Sequence, residues 1–362
     1  MPPDRRGERQ AALRVALEGE RLDGLLVTHL PNIRYLTGFS GSAALLLMRP
    51  NSTTLITDFR YGVQAPAEAG DAAVVEIDQT SVWDRLGRLL GATPAGSLGI
   101  ESQAITVRDA ERVSALSRSR LVPTSDLVER LRAAKSPEEV GAIRTAAALA
   151  QAALADVLPT VRAGQAEREV GAALEAALRR RGSEWHPFPT IVASGPRAAL
   201  PHAGTSARQI QAGEWLLLDF GAQVDGYCAD LTRTVVVGAR ADERQRTIYE
   251  LVRAAQQRAL GHLRAGMTGR DGDALAREVI AARGFGEAFG HSLGHGLGLE
   301  VHEAPRLAPT AESPLPLHAV VTVEPGIYLP GWGGVRLEDD VYLGPAGAVL
   351  LSDGRTELVE LV

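Results

Sequence analysis

Five side chains suited to binding divalent metals follow one another through the second half of this 362-residue chain: Asp219, Asp230, His295, Glu324 and Glu338. They sit in LLLDFGA, CADLTRT, LGHGLGLEVHE, TVEPGIY and VRLEDD. Gathering four carboxylates inside a fold is costly, because an unpaired buried charge is destabilising by several kcal/mol per ion. Two divalent cations would bring about four positive charges and turn the repulsion into a neutral cluster. An all-oxygen and imidazole set of this size points to two-metal hydrolysis.

The elements around these residues explain how they could meet. Trp215–Ala222 and Tyr227–Val237 are strand-like, and Asp225-Gly226 between them suits a two-residue hairpin turn. That turn sets Asp219 opposite Thr232, with Asp230 two residues from Thr232 on the same face, so one metal could take both aspartates. A second hairpin is expected from Ala319–Val323 and Val335–Leu343 around PGWGG, bringing Glu324 near Glu338. Its longer loop leaves the register open, and spacing alone does not choose among Glu338, Asp339 and Asp340. At least one of Asp339 and Asp340 is expected to face solvent. His291, His295 and His302 lie in GHSLGHGLGLEVHE, where the glycines argue against a regular helix and permit close backbone approach to a ligand. Strand alternation would separate His295 from His302, so a bend is required between them. His202 follows the turn-like ASGPRA in ALPHAGTS.

Around this core of chemistry the chain divides in two. The first third alternates strand-like runs (Leu22–Thr28, Ala43–Met48, Thr53–Thr57, Ala73–Ile77) with helical patterns near Glu8–Gly19, Val82–Leu90 and Ala104–Leu116. These describe an α/β domain with a mixed or mostly parallel sheet. Ser136-Pro137-Glu138-Glu139 combines an N-cap serine, proline at the first helical position and glutamate at the third. A long alanine-rich helix should follow to about Val161, then a second over Glu167–Arg181 ending at Gly182. The expected domains are therefore 1–131, α/β, and 132–362, α+β, with every candidate ligand in the second.

Bulk composition narrows the function classes. A net charge of -6 argues against nucleic acid as the main partner. No apolar run approaches the roughly 18–20 residues expected of a membrane span, and MPPDRRGERQ has no secretory character. The single cysteine, Cys228, excludes an intramolecular disulfide and fits a reducing compartment, so the cytoplasm is the expected location.

Taken together, the five ligand motifs resemble the pita-bread metallopeptidases: aminopeptidase P, prolidase and methionine aminopeptidase. The resemblance covers nearly the whole second domain. It implies a dinuclear centre in which Asp219 binds one metal in bidentate fashion, Asp230 and Glu338 bridge both, and His295 and Glu324 complete one ion. His202, His291 and His302 match the family's active-site histidines, which handle the substrate carbonyl, the proline-side residue and the tetrahedral intermediate. Arg336 matches the arginine that supports the carboxylates. The first domain looks like the creatinase/aminopeptidase P type, and NIRYLTGFSGSAALLL and TDFRYGVQA resemble aminopeptidase P more than prolidase, with Ala44 where glycine is usual.

The implied function is Xaa-Pro aminopeptidase, with Glu324 acting as general base and then general acid and with His202 and His302 assisting at the carbonyl. Donor chemistry and resemblance both favour manganese as the two bound ions, with cobalt or zinc as substitutes. A proline-containing peptide is the expected substrate and a homodimer the expected assembly; no nucleic acid or membrane partner is expected. The alternative is an Xaa-Pro dipeptidase, which would need a group for the free proline carboxylate; Arg306, just after VHEAP, could serve. A more distant alternative is a metal-free pita-bread binding protein, but such relatives lose the ligands that remain here.

Overall fold

A computed structural model describes residues 5–93, 96–352 and 356–362, and the chain forms two compact units, Met1–Arg132 and Ala133–Val362. The first is built on six strands: β1 (Gly24–Val27), β2 (Ala44–Arg49), β3 (Ser52–Asp58), β4 (Val74–Asp78), β5 (Ser97–Glu101) and β6 (Arg120–Thr124). They lie in the order β4-β3-β2-β1-β5-β6. The sheet is mixed: β2 runs antiparallel to both β1 and β3, while the outer pairings are parallel. The short segments SLGIE and RLVPT, not expected as strands, supply β5 and β6. Helices α1 (Arg6–Gly19), α2 (Leu30–Thr37), α3 (Gln64–Ala69), α4 (Val82–Ala92) and α5 (Val107–Leu116) accompany them, and α6 (Leu127–Ala133) closes this part of the chain. Ser81 and Thr106 cap α4 and α5 by accepting hydrogen bonds from Asp84 and Asp109 backbone N–H groups, which is why those helices start there.

The second unit opens with α7 (Pro137–Val157), whose Ser136 and Glu139 form a reciprocal capping box. With its extension to Thr160, α7 is long and apolar enough by length and composition to cross a membrane, a test that a core helix also passes. Its apolar residues are instead used in the core: Ala146, Ala147, Ala150, Ala153 and Leu154 pack with α8 (Glu167–Arg180) against the sheet behind them. That sheet joins β7 (Ile191–Ser194), β8 (Glu214–Phe220), β11 (Leu231–Val237) and a late parallel strand considered below, while β9 (Gln223–Val224) and β10 (Tyr227–Cys228) form a separate two-stranded ribbon between β8 and β11. Two further helices, α9 (Glu243–His262) and α10 (Gly269–Ala281), cover the opposite side through a second core containing Trp215, Leu217 and Val236.

Alternation along β8 decides where its acid points. Leu216, Leu218 and Phe220 enter the α7–α8 core, whereas Trp215 and Leu217 enter the other one, and Asp219 shares their face. The remaining strands are β12 (Gly294–Gly296), β13 (Glu303–Leu307), β14 (Val320–Val323), β15 (Gly326–Leu329), β16 (Gly333–Arg336), β17 (Asp339–Gly344), β18 (Gly347–Leu350) and β19 (Val359–Leu361). They form a five-stranded sheet ordered β13-β12-β14-β17-β18 and a β15–β16 hairpin, while β19 pairs with β11. A bridge between Thr232 and Glu338 stitches the β8–β11 hairpin to this second sheet. The metal-ligand candidates gather at that seam.

Candidate metal centre

The first hairpin has the expected register. Asp225 and Gly226 adopt positive φ values of 50° and 78°, Val224 pairs with Tyr227, and Asp219 lies opposite Thr232. The second hairpin is two ladders in one register: Val323 opposes Asp339 in β14–β17, and Gly326 opposes Arg336 in β15–β16. Glu324 and Glu338 therefore face each other in the gap between the ladders, which releases both carboxylates from the pleat and aims them into one cavity. A Cβ on Gly294, beside His295, would stand 2.0 Å from the Thr322 carbonyl oxygen. Only glycine lets β12 approach β14 that closely.

Asp230, His295 and Glu338 present ligand atoms that all lie within 4.8 Å of one another. Glu324 Oε1 is 3.5 Å from His295 Nε2, and Asp230 Oδ2 is 3.8 Å from the same nitrogen. His295 Nδ1 sits 3.0 Å from the Gly296 carbonyl oxygen, an acceptor, so Nδ1 carries the proton and Nε2 turns its lone pair to the acids. Arg336 donates from Nη2 to Asp219 Oδ2 at 2.5 Å, from Nε to Thr232 Oγ1 at 3.0 Å and from Nη1 to the Tyr328 hydroxyl at 2.8 Å. Thr232 Oγ1 in turn donates a hydrogen bond to Glu338 Oε2 at 2.6 Å. A chain of donors thus runs from Arg336 to two of the acids.

These acids share a cavity of about 880 Å³ with His202, His291, His302, Arg306 and Arg336, so every candidate site residue lines the same space. Phe188, Pro189 and Ile191 add an apolar wall. His291 Nε2 lies 2.8 Å from the Tyr328 hydroxyl, and its Nδ1 lies 2.8 Å from the Ser292 carbonyl. The bend required between His295 and His302 is a reversal: β12 and β13 run antiparallel with a register slip after His295, and the two rings come within 4.2 Å. The same ladder sets Arg306 opposite His295.

One expectation is corrected. Glu338, Asp339 and Asp340 are all buried, with neither aspartate facing solvent. Glu338 lines the cavity, whereas Asp339 points away and accepts hydrogen bonds from Arg233, Gln256 and Ser352. Asp340 accepts the backbone N–H of Asp230 from behind. Strand alternation near the seam sorts the three acids; the partners that make burial tolerable come from distant segments. Thr232 and Tyr328 were also not singled out as functional, although the first hairpin's register already set Thr232 opposite Asp219.

Electrostatics test whether cations fit here. Burial drives the carboxyls of Asp230 and Glu338 well above their usual range, with neighbouring acids adding to it. Burial also raises Asp219 against the pull of Arg336, and pushes Glu324 up to about 8. Burial pushes His291 and His295 down to about 4, so both rings are neutral donors at pH 7. Asp219 Oδ1 and Asp230 Oδ1 are buried with no hydrogen-bond partner among the described residues. Orphaned acceptors among crowded acids, facing a neutral imidazole lone pair, fit a group of divalent cations and fit no neutral ligand as well.

Comparison with known proteins agrees with this geometry. The metallopeptidase family M24 matches residues 141–345, and the creatinase/prolidase N-terminal domain matches residues 9–134. The solved Xaa-Pro dipeptidase from Bacillus anthracis is similar at 39% identity and TM-score 0.95, covering 98% of this chain and 100% of that one. X-Pro aminopeptidase from Thermotoga maritima is similar at 35% identity and TM-score 0.90, covering 97% and 99%. The Xaa-Pro dipeptidase of Pyrococcus horikoshii is 34% identical over 95% of this chain and 96% of its own. The comparisons back the dipeptidase alternative better than the aminopeptidase expected from the N-terminal stretches. The chain belongs to metallopeptidase family M24, with a creatinase-type N-terminal domain ahead of a pita-bread catalytic domain.

Proposed function

We propose that this protein is an Xaa-Pro dipeptidase that uses two divalent metal ions, most suitably manganese, with cobalt or zinc as substitutes. Asp219, Asp230, His295, Glu324 and Glu338 would hold the ions. When bound, they would supply Lewis acidity, acidifying water and polarising the scissile carbonyl.

The remaining steps belong to the chain's own side chains. Glu324 takes the proton of the attacking water and returns it to the proline nitrogen as the C–N bond breaks. Thr322 Oγ1, 3.3 Å from Glu324 Oε1, orients that carboxyl. His302 donates toward the oxygen that becomes negative in the tetrahedral species. His202 and His291 fix the peptide, with His291 held in place by Tyr328. The Phe188–Pro189–Ile191 wall shelters an apolar side chain. An Xaa-Pro bond lacks an N–H, so recognition relies on shape and on the charged ends of the substrate.

The observation that carries the dipeptidase reading is Arg306, a cation on the cavity wall opposite His295. A free proline carboxylate is its natural partner, because guanidinium and carboxylate form a forked, charge-assisted pair. A longer peptide would carry an amide there instead. The names of the dipeptidase relatives point the same way. We further propose a cytoplasmic homodimer acting on small proline-containing peptides.

The test compares manganese-loaded protein on an Xaa-Pro dipeptide and the matching Xaa-Pro-Yaa tripeptide, with chelated protein and Asp230→Ala as controls. The dipeptide should be favoured in kcat/KM by at least about tenfold. Arg306→Gln should raise the dipeptide KM about 10- to 100-fold, the value of a charge-assisted pair. Preference for the tripeptide would restore the aminopeptidase; cleavage of neither, with metal bound, would remove the Xaa-Pro reading.

A further inference from the structure

The chain carries 38 lysines and arginines, and Lys135 is its one lysine. Such usage makes arginine the default cation, so the position that keeps lysine is informative. Lys135 is 4% exposed, and its Nζ lies 2.6 Å from Glu303 Oε1, whose side chain is 5% exposed. Its backbone N–H is tied to the His318 carbonyl at 2.9 Å, immediately before the capping box of α7. Lys135 is thus a fixed post from which an ammonium reaches one carboxylate.

Glu303 occupies a demanding position. It follows His302, begins β13 and lies three residues before Arg306. The β12–β13 ladder slips between His295 and Gly296, so regular pairing fails where these two side chains must be aimed. The loop closes around the Glu303 carboxylate instead. A Cβ on Gly298 would stand 2.6 Å from Glu303 Oε1, and the Gly298 carbonyl accepts the Cys228 N–H at 2.7 Å. A compact ammonium suits so close a wrapping; the planar fork of arginine is larger and rigid.

We propose that Lys135 is a positioning residue for the reaction: through Glu303 it sets where His302 and Arg306 stand relative to the metal ligands. This rests on the dipeptidase reading for what those two residues do. Lys135 does not line the cavity, but Glu303 does, so Lys135→Arg, which keeps the positive charge, separates loss of aim from loss of charge.

Lys135→Met and Lys135→Arg test the idea. Both should keep the wild-type metal content per chain while kcat/KM on an Xaa-Pro dipeptide falls about 10- to 100-fold, the scale of a misplaced catalytic group. Preference for the dipeptide over its C-terminal carboxamide should fall with it, because Arg306 loses its aim. In metal-free protein labelled with ¹⁵N-histidine, the His302 signal, identified by its loss in His302→Asn, should move while that of exposed His262 stays. Wild-type rates and selectivity in either folded variant would overturn the proposal, as would activity lost in proportion to metal. If Lys135→Met does not fold, Lys135→Arg decides alone. If the wild type cleaves no Xaa-Pro peptide, the dipeptidase reading falls, and the histidine spectra still decide whether Lys135 positions His302.

Discussion

Removing metal should invert the usual relation between pH and stability in this protein. With Glu324 pushed up to about 8 by burial, the metal-free folded state holds a proton that the unfolded chain, near 4.5, has released. A raised folded value stabilises at low pH, and that stability is lost as pH climbs through about 8. Between pH 6.5 and 8.0 the Glu324 contribution drops by about 1.6 kcal/mol, from linkage at 1.36 kcal/mol per decade. Asp230, Glu338 and Asp340, all raised well above their usual range, add to the same sign. His291, His295 and His302 oppose it, since burial lowers each and folded stability recovers as the unfolded rings deprotonate. His291 and His295 each regain at most about 0.4 kcal/mol above pH 6.5, and exposed His302 regains less because solvent screens it. Set against about 1.6 kcal/mol from Glu324, the histidines leave a net loss of at least about 0.4 kcal/mol, which the three acids enlarge, and a unit of this size loses about 2–4 °C of Tm per kcal/mol. Chelated protein scanned by calorimetry at fixed ionic strength should therefore melt lower at pH 8.0 than at pH 6.5, by at least about 1 °C. Excess Mn²⁺ should abolish or reverse the slope, because cations hold the carboxylates ionised. A chelated Tm that is flat or rises across this range would refute the picture of a crowded, charge-starved site.

Other consequences are more local. Thr232→Val removes the hydroxyl that links Arg336 to Glu338. It should weaken metal binding about 10- to 100-fold by titration calorimetry, with the fold intact by circular dichroism. Arg336→Met leaves Asp219 buried without its partner, and urea unfolding of the chelated variant should show a loss of about 3–5 kcal/mol. Gly294→Ala would push a methyl against the Thr322 carbonyl, so little soluble protein is expected, and any recovered should hold less than one metal per chain by elemental analysis.

How much could be read beforehand depended on the length of the turns. Asp225-Gly226 permits one register, so the Asp219–Thr232 pairing follows from residue types alone. The loop after Leu329 does not impose a register, and the opposition of Glu324 and Glu338 became visible only through two ladders that share it. The burial of Asp339 depends on Arg233, Gln256 and Ser352, which no local pattern connects to it. In the first unit, β5 and β6 are five-residue segments whose strand character comes from parallel neighbours rather than from alternation. The bend between His295 and His302 was legible as a necessity but not as a place, because the slip in β12–β13 is set by what packs around it.

A chain with a single lysine, 4% exposed, also has an unusual profile toward reagents. A lysine-specific endoprotease has one backbone bond to cut, after Lys135, just inside the second unit. In the folded protein that side chain is engaged with Glu303 and withheld from the protease's pocket. Cleavage into two fragments therefore reports the opening of this one locality. Amine-directed coupling, by the same logic, would spare the one lysine side chain while the protein stays folded.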